Sequence, residues 1–289
     1  MIAMLQTFAL VLALLATACT APHPSRADGS APKAAARAGT AGPEVLPADW
    51  PAADLLLVGE QHDAPQHQQH AAQVVEHLAA QDRLVAVVLE MAEQGRSTAP
   101  LRRDADEASM RAALAWDERG WPWASYRPIV VAAVRAGVPV TGANLPRGSL
   151  RELMRDERLD AEVSGALRER LLADVRDGHC GLLPASQLPG MTRVQIGRDR
   201  AMASTLAARA QPGRVVMLVA GANHVDKTRG VPQHLRELAP SLSLHALGLA
   251  AGAPRDAAAA GGFDEIWITP ALERPDPCEG LAERIAPAR

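Results

Sequence analysis

The stretch Asp54-Leu55-Leu56-Leu57-Val58-Gly59-Glu60-Gln61-His62 decides how this chain is read. A short aliphatic run, Leu55–Val58, is of strand type. It stops at Gly59 and sets a carboxylate and an imidazole just beyond. Residues that follow strands in an open α/β sheet border the crevice where ligands bind. A second copy lies far downstream, in Val215-Val216-Met217-Leu218-Val219-Ala220-Gly221-Ala222-Asn223-His224. Two strand–Gly-x-x-His units predict two walls of one site.

Outward from this stretch, apolar runs alternate with helical periods. Pro65 suits a first helical turn, where its missing N–H costs nothing, with Asp63 as a capping residue and the helix running to about Ala80. Leu84–Leu89 reads as a strand ending in Glu90. A polar helix is expected around Asp106–Trp116, and an apolar one from Pro128 to Ala136, stopped by Gly137. A short strand, Val138–Thr141, leads to Gly142-Ala143-Asn144. Residues 149–177 are helical in period, His179–Gly190 is a loop, and Arg193–Ala210 is a helix. After the strand Val215–Ala220 come a helix near Val231–Ala239 and strands at Leu242–Leu249 and Glu265–Thr269. Such alternation implies right-handed crossovers. The expected fold is a single α/β domain over residues 49–280, with a mainly parallel sheet flanked by helices.

The chain has 289 residues, of which 48% are hydrophobic, enough for one large core, and a formal net charge of −3. Nucleic-acid binders carry a basic stripe, so none is expected as a partner. Phe8–Ala16 is apolar and has the length of a secretory signal's apolar region, without the basic residues that usually precede it. Thr17-Ala18-Cys19 is similar to a bacterial lipobox, in which the cysteine is acylated; ordinary cleavage without a lipid is the alternative. Either reading exports the protein. Residues 19–48, rich in Ala, Pro, Gly and Ser, read as a flexible tether. With Cys19 on the anchor, Cys180 and Cys278 remain as a disulfide pair or as two separate thiols.

Four strand ends carry polar residues: Glu60/His62, Glu90, Asn144 and Asn223/His224. In a parallel sheet all four emerge at one edge, which predicts a shared cleft; alternatively, Glu90 only caps a following helix. Glu60, His62, Glu90 and His224 are the candidate catalytic residues. Two imidazoles and two carboxylates can act as general acid and base, or hold a divalent metal, with Glu60, His62 and His224 as ligands. No nucleophile elbow or Walker-type loop occurs, which disfavours serine-hydrolase and P-loop chemistry. His67, His70 and His77 share a helix face that points either into the cleft or into solvent. Trp116, Trp121, Trp123 and Tyr126 crowd one short stretch in a chain with 3% aromatics. They suit a flat apolar ligand, or a satellite core. A tyrosine phenolate can ligate ferric haem iron, and Arg127 can pair with a propionate.

Taken in order, Val58-Gly59-Glu60-Gln61-His62-Asp63, Leu89-Glu90-Met91, Trp123-x-x-Tyr126-Arg127-Pro128, Gly142-Ala143-Asn144, His179-Cys180-Gly181, Gln195-x-x-x-Asp199 and Gly221-Ala222-Asn223-His224 resemble the ChaN family of haem-binding, iron-regulated lipoproteins. That family sits in the Tiki and erythromycin-esterase-like superfamily. The resemblance implies an α/β domain on a lipid tether in the cell envelope, at the outer membrane and facing the periplasm. It also implies haem as cofactor, iron uptake as the role, and a homodimer around haem. Some superfamily members use the glutamate–histidine cleft as hydrolases, including metal-dependent ones, which maps onto Glu60, His62, Glu90 and His224. Tyr126 is the expected iron ligand, with Arg127 and His179 as further cofactor-binding residues.

Overall fold

The computed structural model describes residues 37–40, 46–252, 261–273 and 278–279. The expected signal peptide, Cys19 and most of the tether lie outside them. A seven-stranded, wholly parallel sheet runs in the order β1-β7-β6-β2-β5-β3-β4. Its strands are β1 (Arg37–Thr40), β2 (Leu55–Glu60), β3 (Leu84–Glu93), β4 (Val140–Asn144), β5 (Val215–Gly221), β6 (Leu244–Ala251) and β7 (Glu265–Thr269). β1 falls within the stretch expected to be tether and pairs with β7 at the sheet edge.

The aliphatic run that opens the domain is buried on both sides, as its composition requires. Leu56 and Val58 pack into one core with Val75 and Leu78 of helix α1 (Pro65–Ala80) and Ile129 and Val130 of α3 (Trp123–Ala136). Leu55 and Leu57 point the other way, against Met202 and Leu206 of α6 (Leu188–Arg209) and Leu235 of α8 (Val231–Leu238). Each fully buried leucine contributes roughly 2 kcal/mol of apolar transfer energy. Two helices thus cover each face, and β2, β5 and β3 lie side by side at the centre. The chain winds toward β4 along one face and returns to β5 and β6 along the other. The reversal leaves a crevice beyond the carboxyl ends of these three strands.

Several boundaries differ from the sequence reading for local reasons. β3 continues past Glu90 to Glu93, so Glu90 belongs to the strand and does not cap a helix. α3 begins at Trp123, five residues before Pro128, because the Glu118 carboxylate accepts the Trp123 N–H at 3.1 Å and starts the helix there. The aromatic block therefore sits partly on a helix. α6 begins at Leu188, with Pro189 in its first turn. The expected helix over 149–177 is broken into α4 (Leu150–Leu153), a 3-10 turn and α5 (Gly165–Gly178). The cap position of α1 is Ala64, which makes no side-chain cap. α2 (Glu107–Ala113) does have one, since Asp106 accepts the Ser109 N–H at 2.7 Å. The short α7 (Ala222–Val225) follows β5. Among the described residues no helix is long and apolar enough to cross a membrane.

Candidate functional site

The two Gly-x-x-His units meet over the strand ends of β2, β3 and β5. Glu60 ends β2, and its side chain is fully buried. Its Oε1 accepts from the Tyr126 hydroxyl at 2.6 Å and from His62 Nδ1 at 2.9 Å, and its Oε2 accepts from the Gln68 amide. Three donors thus converge on this carboxylate, and the proton of His62 sits on Nδ1. His62 Nε2 then faces Glu90, 3.9 Å from Oε2. Gly221 makes room for this: a Cβ there would lie 3.0 Å from His62 Nε2.

The second wall mirrors the first. His224, on α7, has its Nδ1 2.6 Å from Asp199 Oδ1 and its Nε2 3.6 Å from Glu90 Oε1. Glu90 lies beneath both imidazoles and accepts the Gly221 N–H at 2.8 Å. Two carboxylate–imidazole dyads, Glu60–His62 and Asp199–His224, therefore converge on one buried carboxylate. Burial works against charge on His224, but Glu90 and Asp199 outweigh it and hold the imidazole's pKa up at about 9. Burial pushes Asp199 upward too, so these two groups compete for one proton. We assign it to His224, which Glu90 also stabilises. Burial likewise opposes the charge on His62, yet Glu60 and Glu90 raise its pKa. Burial would raise Glu90, but His224 and His62 bring it below the usual carboxylate range.

Above these groups opens a cleft of about 430 Å³, lined among others by His62, Asn223, His224, Leu171, Val175 and His179. Trp121 meets His62 edge-on, ring centres 4.8 Å apart. At the rim, α5 ends in His179, whose Nδ1 is 2.7 Å from the Val175 carbonyl. That bond places the ring proton on Nδ1 and leaves the Nε2 lone pair without a partner among the described residues. The next residue, Cys180, is joined by a disulfide to Cys278.

Several expected placements are corrected. Tyr126 does not present a phenolate to a ligand: it is 1% exposed, its proton is committed to Glu60, and burial with the Glu60 charge pushes its pKa far up. Arg127 lies outside the cleft, where Glu107 holds its Nε at 2.7 Å. Successive helical residues point about 100° apart, so a chain that turns Tyr126 inward turns Arg127 away. Asn144 ends the outer strand β4 and accepts the Leu145 N–H instead of reaching the cleft.

The expected metal set of Glu60, His62 and His224 does not form. Among the described residues no group of three or more His, Cys, Asp or Glu side chains is arranged to hold a metal ion. Each imidazole turns one nitrogen to its own carboxylate, and the other stands 3.6–3.9 Å from Glu90.

The histidine face of α1 is structural. His67 is buried, accepts the Gln61 N–H at Nδ1 and hydrogen-bonds Thr269 Oγ1 through Nε2 at 3.0 Å. His70 packs on Trp267, and His77 reaches the Pro47 carbonyl. None lines the cleft.

The sequence reading left Asp199 without a role and missed Gln68. The spacing Gln195-x-x-x-Asp199 put both residues on one helix face, which was the signal available for Asp199.

The fold and this cleft define an α/β protein with a doubly dyadic acid–base site at the switch point of its sheet. Residues 46–235 match the family described as haem-binding uptake, Tiki superfamily, ChaN, and the chain belongs to that family. Among solved structures it is similar to that of cofacial haem binding to ChaN of Campylobacter jejuni. There the TM-score is 0.63 and the identity 22%, over 74% of this chain and 86% of that one. The type III effector HopBA1 is more remote, with a TM-score of 0.43 and 15% identity over 84% of this chain and 100% of its own. No curated protein matches the chain.

A haem needs an iron ligand and an apolar wall. With Tyr126 sealed against Glu60, His179 is the cleft residue that fits the first need, since its free Nε2 lone pair and backbone-fixed tautomer suit iron ligation. Leu171 and Val175 of the same helix supply apolar surface beside it.

Proposed function

We propose that this protein is an exported, lipid-anchored component of the bacterial cell envelope that binds haem for iron acquisition. Membership of the haem-binding uptake family supports the ligand, and the apolar run Phe8–Ala16 before the lipobox-like Thr17-Ala18-Cys19 supports export and lipid anchoring, for which we take the outer membrane as the site. The observation that carries the reading is His179, poised at the cleft rim with no partner to Nε2 among the described residues. Haem bound there would be exposed on one side, which favours a homodimer closing over it. Purified protein mixed with hemin should show a shifted Soret band that His179→Ala weakens and Tyr126→Phe leaves in place, with a doubled mass by light scattering. No shift at stoichiometric hemin would sink the reading. Labelled palmitate should enter the wild type and not Cys19→Ser.

The convergence of two dyads on Glu90 favours a second reading, hydrolysis without a metal. His62, its Nδ1 proton held by Glu60, presents Nε2 to take a proton from water, and the His224 imidazolium donates one to the leaving group. A panel of ester and amide substrates should be turned over by wild type in chelator and not by Glu90→Gln. Equal background rates for both proteins would exclude it.

A further inference from the structure

We propose that the Cys180–Cys278 disulfide positions His179, so that haem ligation depends on these cysteines being oxidised; the inference rests on the haem reading above. His179 is the cap residue of α5, a helix anchored by only two buried side chains, Leu171 and Val175. Directly after it the chain reverses through two successive left-handed residues, Cys180 with φ +57° and Gly181 with φ +68°. Glycine adopts that conformation freely, whereas cysteine does so at a cost that the surrounding structure must offset. Local hydrogen bonds, Cys180 N–H to the Asp177 carbonyl at 2.9 Å and Gly181 N–H to the Arg176 carbonyl at 2.8 Å, close the helix end. They do not tie it to the rest of the domain.

Burial does not tie it either. Leu182 is 38% exposed, and the segment up to Gln187 contains no buried residue. The strong tie is covalent: the residue beside the free imidazole is bonded to a cysteine 98 positions away. On the inner side, Asp174 of α5 is held by Arg229 through two bonds of 2.9 Å. The helix is thus held five residues before His179 by an ion pair, and one residue after it the disulfide links it to Cys278. Opening that link leaves the His179 turn with its local hydrogen bonds alone and lets the imidazole leave the rim while the fold stays intact.

The test compares hemin titrations of oxidised wild type, of Cys180→Ser/Cys278→Ser, and of wild type reduced and capped with iodoacetamide under native conditions. No free thiol can then ligate the iron. Circular dichroism confirms the fold, and hydrogen exchange of residues 176–183 is followed without hemin. The expected result is affinity weaker by roughly tenfold or more in both disulfide-free forms, as for loss of a group that orients a metal ligand. Faster exchange of residues 176–183 should accompany it, and His179→Ala should be equally weak with the disulfide intact. Unchanged affinity or unchanged exchange without the disulfide would overturn the inference and leave haem binding standing. Full hemin binding by His179→Ala would overturn it too, and failure of oxidised wild type to bind hemin would remove both readings. If the serine variant does not fold, the capped wild type decides the matter.

Discussion

The Tyr126 hydroxyl donates to Glu60 Oε1 at 2.6 Å, and this bond joins the aromatic block of α3 to the first Gly-x-x-His unit. The same oxygen accepts the Nδ1 proton of His62, so the phenol acts on the cleft through the carboxylate that orients the imidazole. Tyr126→Phe removes one of three donors from a buried carboxylate, which should cost about 1–3 kcal/mol in chemical denaturation. The Glu60 carboxylate is then left with His62 and Gln68 as partners, so the His62 titration should move. An NMR titration of His62 checks the second outcome; an unmoved His62 would show that the bond is only structural.

His224 gives the site its alkaline limit. Its folded pKa of about 9 exceeds the ordinary 6.5, so the stability it contributes is fully present below pH 6.5. That contribution is lost as pH rises through about 9. Denaturation midpoints measured from pH 6 to pH 10 should fall across this window. Glu90→Gln removes one of the two carboxylates that sustain the shift, so it should flatten the slope and bring the His224 resonance toward pH 6.5. A slope unchanged by Glu90→Gln would mean that Asp199 alone holds the charge.

Two Gly-x-x-His units were enough to locate the cleft, because each follows an aliphatic strand and parallel strands share a functional edge. The proposed iron ligand was less legible. Tyr126 was the choice on chemistry, but whether a phenol meets solvent or a buried carboxylate depends on the side α3 turns to the sheet. That orientation is fixed by packing of Ile129 and Val130, which no motif specifies. Asn144 misled for a topological reason: strand order is not written along the chain, and β4 falls at the edge. The dyad partner Asp199 comes from the opposite helical layer, so no local spacing links it to His224.

His67 sets part of the acid limit. Burial, with the nearby His70, lowers its folded pKa to about 4, because the Gln61 N–H requires a lone pair on Nδ1. The unfolded chain takes up that proton near pH 6.5, so stability should decline as pH falls from 6.5 to 4. A second decline belongs to Glu265, whose carboxylate is held at about 2 by its bonds to His245, Trp267 and Trp50. Its contribution is present above about pH 4.5 and lost as pH falls toward 2. In acid titrations followed by fluorescence, His67→Gln should flatten the first decline and spare the second. If both persist unchanged, the neutral imidazole is not what links Gln61 to Thr269.

Gly221 offers the sharpest separation of site geometry from general stability. A Cβ at this position would stand 3.0 Å from His62 Nε2, 3.3 Å from its Cε1 and 3.7 Å from Glu90 Oε2. Gly221→Ala must therefore displace the imidazole or the strand end, at a cost of about 1–3 kcal/mol for overpacking. His62 is 40% exposed at its side chain and is the group free to give way. It should swing from Glu90 toward Trp121, losing part of its raised pKa while its bond to Glu60 weakens. The control is Gly178→Ala, also at the cleft, where an added Cβ meets nothing within 4 Å. In a helix that change should be neutral or stabilising by up to about 1 kcal/mol. NMR titration of His62 beside thermal melts of both variants separates the two effects. An unperturbed His62 in Gly221→Ala would mean that the backbone of β5 shifts instead, and the Glu90 bond to the Gly221 N–H should then be the one that lengthens.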